Sequence, residues 1–271
     1  MAASPKTQQA PGSKQTATGW KRGKGIYVYG ILPADVELTS DMPGVGDPPG
    51  RVRVIRRGGL AALVSEVALS GRLGWPADLT AHQQILDACA AELPVLPLRF
   101  GAVLASEDAV AGELLEAHHD EFADALDALD GRAQYVVKGR YVQEVILEEV
   151  LADNTQAARL AEGIRGQAAA ATREARIQLG EIINQAVTAK RAEDTRALGE
   201  AMDGHCVASV VREPTHELDA THVAFLVGID AEGEMEQALE DLARGWDGRV
   251  EVRLLGPMAA YDFVATPVPG A

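Results

Sequence analysis

The sequence predicts an α+β protein built from two ferredoxin-like α/β sandwich domains, the second elaborated by an Ala-rich helical hairpin. Three observations lead there. Residues 26–142 pattern in the order β-β-β-α-β-α-β, which becomes a four-strand, two-helix ferredoxin-like order once one element is set aside. Residues 145–202 carry helical patterning throughout. Residues 205–255 then read β-β-α-β, a second such unit if a preceding helix supplies its first half. The boundaries that follow are a disordered tail at 1–23, a modified ferredoxin-like domain at 24–142, a helical insertion plus ferredoxin-like domain at 143–264, and a short tail at 265–271.

Taken in order, residues 1–23 are rich in Ala, Ser, Thr, Gln, Gly and Lys. They cannot bury enough apolar surface to offset the entropy of ordering. Ile26–Leu32 is a β-branched and aromatic run that Pro33 ends. A Gly/Pro loop at 43–50 precedes Arg51–Arg56, whose charged and apolar side chains alternate with the period of a half-buried strand. Arg57-Gly58-Gly59 is a hairpin signal leading to the partner strand at 60–67. A helix capped by Thr80 carries Ile85, Leu86, Cys89 and Leu93 on one side. The segment Pro94–Val103 mixes two prolines, Arg99 and Gly101 into an apolar run, so it reads as a bent strand. Arg99 among apolar neighbours calls for a partner, and a structural ion pair inside the first domain is expected.

Ser106-Glu107-Asp108 caps a second helix, with acidic residues at the positive end of its dipole. Its apolar spacing runs from Val110 to Leu129 and stops at Asp130-Gly131. Residues 134–142 form the last strand of the first unit. In the helical stretch, Asp153-Asn154 and Gly163–Gly166 are breaks. Ile177, Leu179, Ile182, Ile183, Ala186 and Val187 make one apolar face. That stripe is lost over 190–196, so the helix is expected to project into solvent or meet a partner there. Strands at 205–212 and 220–229, a helix marked by Met235, Leu239, Leu242 and Trp246, and a strand at 249–255 close the chain.

Composition excludes several function classes. With 25 Lys and Arg against 40 Asp and Glu the formal charge is −15, a poor match to nucleic-acid phosphates or an anionic membrane surface. No apolar run approaches the roughly 18 residues of a membrane span, and no signal-peptide core is present. The two cysteines, Cys89 and Cys206, form no CxxC pair and read as reduced thiols of an intracellular protein.

No motif rises to chemistry. There is no Gly-x-Ser-x-Gly elbow. His216 and His222 stand six apart rather than four, so they cannot share a helix face around a metal. His118 and His119 are adjacent and point about 100° apart. Gly44–Gly50 lacks the Lys-Ser/Thr of a phosphate loop, and its prolines withhold backbone donors. Residues 230–241 fail the calcium-loop spacing. Catalytic, cofactor and metal residues are therefore all expected to be none.

Three segments carry a resemblance: Tyr27-Val-Tyr-Gly-Ile31, Val95-Leu-Pro-Leu-Arg-Phe-Gly101 and Leu255-Gly-Pro-Met-Ala-Ala-Tyr-Asp-Phe-Val264. Arg212-Glu-Pro214 and Ala224-Phe-Leu-Val227 support them. In this order and spacing they resemble the gas vesicle GvpF/GvpL family over about residues 24–264. The third segment departs from the family pattern, which commonly has Trp and two prolines where Met258, Ala259 and Ala260 stand. The resemblance implies a cytoplasmic, gas-vesicle-associated accessory or minor structural protein of vesicle assembly. It implies binding to the major shell protein GvpA and other accessory Gvp proteins, with no enzyme activity and no cofactor. Arg99, Tyr261 and Phe263 are the candidate partner-binding residues. The alternative is a two-domain ferredoxin-like protein that binds or transforms a small ligand, with Arg99 in a cleft.

Overall fold

The structure, a computed structural model, describes residues 23–37, 42–69 and 73–264. The tails expected at 1–23 and 265–271 lie outside the described residues, Gly23 apart.

Two antiparallel sheets organise the chain. In the first, β1 (Lys24–Pro33) runs through the centre. On one side it pairs with β3 (Leu60–Ala68), from Lys24 opposite Ala68 to Pro33 opposite Leu60. On the other side it pairs with two fragments, β4 (Leu96–Pro97) and β5 (Val103–Leu104). The outer strand β2 (Arg53–Arg57) completes the order β2-β3-β1-β4. Every side chain from Ile26 to Leu32 is buried, which is why this strand is a continuous apolar run rather than an alternating one. Ile26 and Val28 pack toward Val110, Leu114, Phe122 and Leu126. Tyr27, Tyr29 and Leu32 pack on the opposite layer with Ile85, Leu86 and Cys89. Gly30 is a close approach: a Cβ there would lie 2.8 Å from both Leu86 Cδ2 and the Leu96 carbonyl.

The first helix, α1, spans Pro76–Ala90, so Thr80 lies inside it instead of capping it. Pro76 supplies the first-turn residue whose missing donor costs nothing there. The Asp78 carboxylate collects the backbone N–H groups of Gly74 and Trp75, both at 3.0 Å, and of Gly46 at 2.9 Å. Thr80 Oγ1 turns back to donate to the Pro76 carbonyl at 2.9 Å. Downstream, Ser106 does cap its helix, accepting from Ala109 N at 3.1 Å. The helix itself breaks into a short α2 (Glu107–Ala109), a π-helical stretch (Val110–Glu116) and α3 (His119–Leu129). The wider π turn still buries Val110, Leu114 and Leu115.

The strand β6 (Arg132–Tyr141) corrects the sequence reading of 134–142 as the last strand of the first unit. It lies inside the second sheet, whose order is β7-β8-β6-β9. The partners are β7 (Ala208–Val211), β8 (Asp219–Gly228) and β9 (Val250–Met258). The cause is physical. The free side of β1 is already taken by β4 and β5, whereas β6 has eight-residue-scale registers available with both β8 and β9. One face of this sheet packs Tyr135, Val137, Val223 and Phe225 against helices α4 (Gln143–Asp153), α6 (Arg173–Met202) and α7 (Glu232–Gly245). Asn154 ends α4 and caps α5 (Thr155–Ile164), accepting from Gln156 N and Ala157 N at 3.0 and 2.9 Å.

The polar stretch 190–196 does not project into solvent. Asp194 is 8% exposed and receives the Tyr141 hydroxyl at 2.5 Å and both terminal nitrogens of Arg249 at 2.9 Å. Arg249 Nε reaches Glu149 at 2.8 Å, and Lys190 bridges Glu149 and Asp153 at 3.3 and 2.8 Å. Arg191 donates to the carbonyls of Asp219 and Glu217. The helix loses its apolar stripe because an ion network, rather than hydrocarbon, joins it to α4 and the sheet. Among the described residues no helix is long and apolar enough to cross a membrane.

Candidate functional site

The three segments singled out in the sequence converge on one residue that was not, His82 of α1. Its ring centroid lies 5.7 Å from those of Tyr27 and Tyr29, 5.6 Å from Phe100 and 6.5 Å from Tyr261. Tyr27 Oη accepts from Gly101 N at 3.2 Å and, by donating to His82 Nδ1 at 2.9 Å, completes its bonds. The ring proton then belongs on Nε2, which is buried without a partner of normal geometry. His82 is found by periodicity: with Asp78, Ile85, Leu86 and Cys89 it occupies the buried stripe of α1.

Burial holds the His82 ring down at about 4, the Leu98 backbone offsetting only part of this. Burial likewise raises the phenols of Tyr27, Tyr29 and Tyr261. A histidine with a depressed folded pKa stays neutral in the folded protein while the unfolded chain protonates, so stability is lost as pH falls from about 6.5 toward 4. The expected loss is about 3 kcal/mol by the bottom of that window. Urea unfolding at pH 7 and pH 4.5 checks it: His82→Gln should remove a large part of the difference between the two.

The chain after β9 ties the two sheets together. Ala259 N donates to Asp87 Oδ1 of α1 at 3.1 Å, and Asp262 N donates to Gln134 Oε1 of β6 at 3.0 Å. Arg212, just after β7, donates through Nε to Asp262 Oδ1 at 3.1 Å and through Nη2 to Oδ2. Ala259 stands where the family pattern has proline, and its N–H is used; a proline has none to give. Between α1 and the second sheet lies a cleft of about 510 Å³, lined among others by Leu79, Phe100, Lys138, Arg212, His222 and Tyr261.

The three candidate partner residues fall in different environments. Arg99 is exposed and has no ion pair or hydrogen bond among the described residues, which corrects the expected buried pair. The segment escapes burying it by looping out: Leu98 N bonds Tyr29 O, Val28 N bonds Ala102 O, and Gly101 takes φ +93° between them. Tyr261 is turned toward His82, and Phe263 packs beside Leu129, Leu226 and Ala260.

Sheet edges differ in how they are guarded. On β2, Arg53 and Arg57 pair with Glu107 and Glu116 at 2.6 and 2.8 Å, and Arg56 donates to the carbonyls of Ala34 and Val36. On β9, Glu251 and Arg253 stand exposed, and β4 carries Pro97. Among the described outer strands of four or more residues, β7 alone carries neither charge nor proline: Ala208-Ser-Val-Val211. Val207 and Val211 beside it are 56% and 66% exposed. Arg212 N bonds His222 O at 2.8 Å, and with the register Val210 opposite Ala224 this leaves the backbone groups of Ser209 and Val211 pointing away from β8.

Several other titratable side chains have structural partners. His118 pairs with Glu121 at 3.3 Å and His119 with Asp120 at 3.0 Å. In the loop before β8, His216 Nδ1 accepts from Leu218 N, while Asp219 at the start of β8 collects Thr215 N and His216 N at 2.7 and 2.9 Å. Burial pushes the Cys89 thiol up to about 11. Among the described residues no group of three or more His, Cys, Asp or Glu side chains is placed to hold a metal.

Comparison with known proteins matches residues 25–265 to the family described as gas vesicle synthesis protein GvpL/GvpF. Gas vesicle protein F of Streptomyces sp. (strain CB03234) is 35% identical over 241 residues, covering 88% of this chain and 98% of that protein. Gas vesicle protein L of the same strain is 27% identical over 265 residues, covering 88% and 91%. Among solved structures, GvpF from Anabaena sp. PCC7120 superposes with a TM-score of 0.74 at 22% identity, covering 90% of this chain and 99% of that one. The GvpF structure from Microcystis aeruginosa gives 0.70 at 19% identity.

Proposed function

Because the chain belongs to the GvpL/GvpF family of gas vesicle synthesis proteins, we propose that it is a non-enzymatic accessory factor of vesicle assembly that holds the shell protein GvpA before or during nucleation. Other accessory Gvp proteins are its further partners, and its place is the cytoplasm and the growing vesicle. The observation that carries the reading is the β7 edge, uncharged and exposed where the other long outer strands, β2 and β9, carry charged side chains. Natural sheets protect such edges against pairing, so one left open suits strand addition by a partner. A formal charge of −15 keeps a complex with an apolar partner dispersed.

The architecture fits the same reading. The order β7-β8-β6-β9, all antiparallel with helices between β6 and β7 and between β8 and β9, supports reading the second sheet as a ferredoxin-like unit, and the first sheet has the corresponding order β2-β3-β1-β4. We assign Arg99 to the partner-facing surface, and Tyr261 and Phe263 to fixing how the two units sit. Co-expression with tagged shell protein tests the function: the full chain is expected to be co-purified, and a pull-down that leaves it behind sinks the holding role.

A further inference from the structure

One face of the second sheet is covered by α4, α6 and α7; the other faces α1 across the cleft and carries a row of bases. Lys138 of β6 stands opposite His222 of β8 on one side and Arg253 of β9 on the other. The Arg212–His222 backbone bond extends the row to the strand end of β7. Arg212, His222, Lys138 and Arg253 thus cross four adjacent strands on one face, a span of roughly 14 Å at the usual strand spacing. Directly opposed like charges cost stability in a sheet, so the arrangement has no structural motive of its own. It also runs against the chain, whose formal charge is −15.

Compensation along the row is incomplete. Asp262 neutralises Arg212, and Lys138 donates to the Thr215 hydroxyl at 3.1 Å, which in turn donates to Asp219, a carboxylate near that end of the row. Arg253 is exposed and has no acidic partner among the described residues. Burial, and then the Lys138 and Arg212 charges, keep the His222 ring below its ordinary value. One row nearer the first sheet, the same face turns apolar, with Val136 opposite Leu255. Leu255 is 45% exposed, and Leu79 across the cleft is 49% exposed.

We propose that this row is a docking surface for an acidic protein segment, one whose carboxylates lie along Lys138 and Arg253 and whose apolar side chain enters between Leu79 and Leu255. The length of the row suits several carboxylates in line better than one compact anion. The acidic remainder of the molecule repels any polyanion at long range, so binding rests on short-range contacts along the row, which a short peptide can reach without lying along the acidic surface. The surface is separate from the β7 edge, so a partner can occupy each.

Fluorescence anisotropy with the full chain and a rhodamine-labelled peptide of six glutamates around one central leucine tests it. The peptide is expected to bind at low salt and to be released as salt rises. Lys138→Gln combined with Arg253→Gln should weaken binding about tenfold, the worth of two exposed ion pairs. Arg253→Glu, at an exposed position, should weaken it by a comparable factor and guards against a folding defect in the double variant. Unchanged affinity in both variants, no binding at low salt, or displacement of the peptide by inorganic phosphate or a single-stranded oligonucleotide at lower concentration than by unlabelled peptide would each overturn the proposal.

Discussion

Replacing Asp194 by alanine is expected to cost the protein about 3 kcal/mol, the scale seen when one member of a buried ion network is removed. The side chain is nearly inaccessible and serves Tyr141 and both terminal nitrogens of Arg249 at once. Its loss leaves a phenol and a guanidinium with unmet bonds inside the second unit. Glu149 still holds Arg249 through Nε, so the unfolded fraction should rise without abolishing the fold. Tyr141→Phe removes one bond of the same network and should cost about 1 kcal/mol. Denaturant unfolding of both variants checks the ratio; equal effects would mean that the Tyr141 bond alone carries the contribution of Asp194 and that its bonds to Arg249 add nothing.

The second large effect is expected at Tyr261. Truncation to alanine empties the space beside His82, where the chain after β9 packs on α1. Aromatic-to-alanine changes in packed sites cost about 3 kcal/mol or more. Here the loss should appear as earlier exposure of α1 and of the segment 259–264 in hydrogen exchange, because Ala259 and Asp262 are tied to Asp87 and Gln134 across the same joint. A variant with unchanged exchange there would show that the bonds at Asp87 and Gln134 hold the joint alone.

Local physics made much of this molecule legible. The β1 run, the hairpin at Gly58-Gly59, the Ser106 cap and the Asn154 break are each written within a few residues, and each stands where expected. The misreadings share a cause: a residue's partner was far away in the chain. Strand 132–141 looks the same whether it closes the first sheet or centres the second, and only its pairing with β8 and β9 decides. The polar stretch 190–196 looked solvated because Arg249 and Glu149 are remote in sequence. Arg99 looked buried by its neighbours, yet a loop carries it out. The resemblance pointed to Tyr27, Phe100 and Tyr261, but their common centre at His82 carries no sequence mark beyond its place in a helical stripe.

The most direct test of the shell-holding account is a single substitution on the open edge. Ser209→Pro removes a donor that β8 does not use, so it blocks an added strand while sparing the existing ladder. Co-purification with tagged shell protein, measured beside the melting temperature of the variant, gives the answer. The account predicts that the variant melts close to the parent chain and that shell-protein recovery falls at least about tenfold, the loss of one or two intermolecular backbone bonds. Full recovery by a folded Ser209→Pro variant would contradict it.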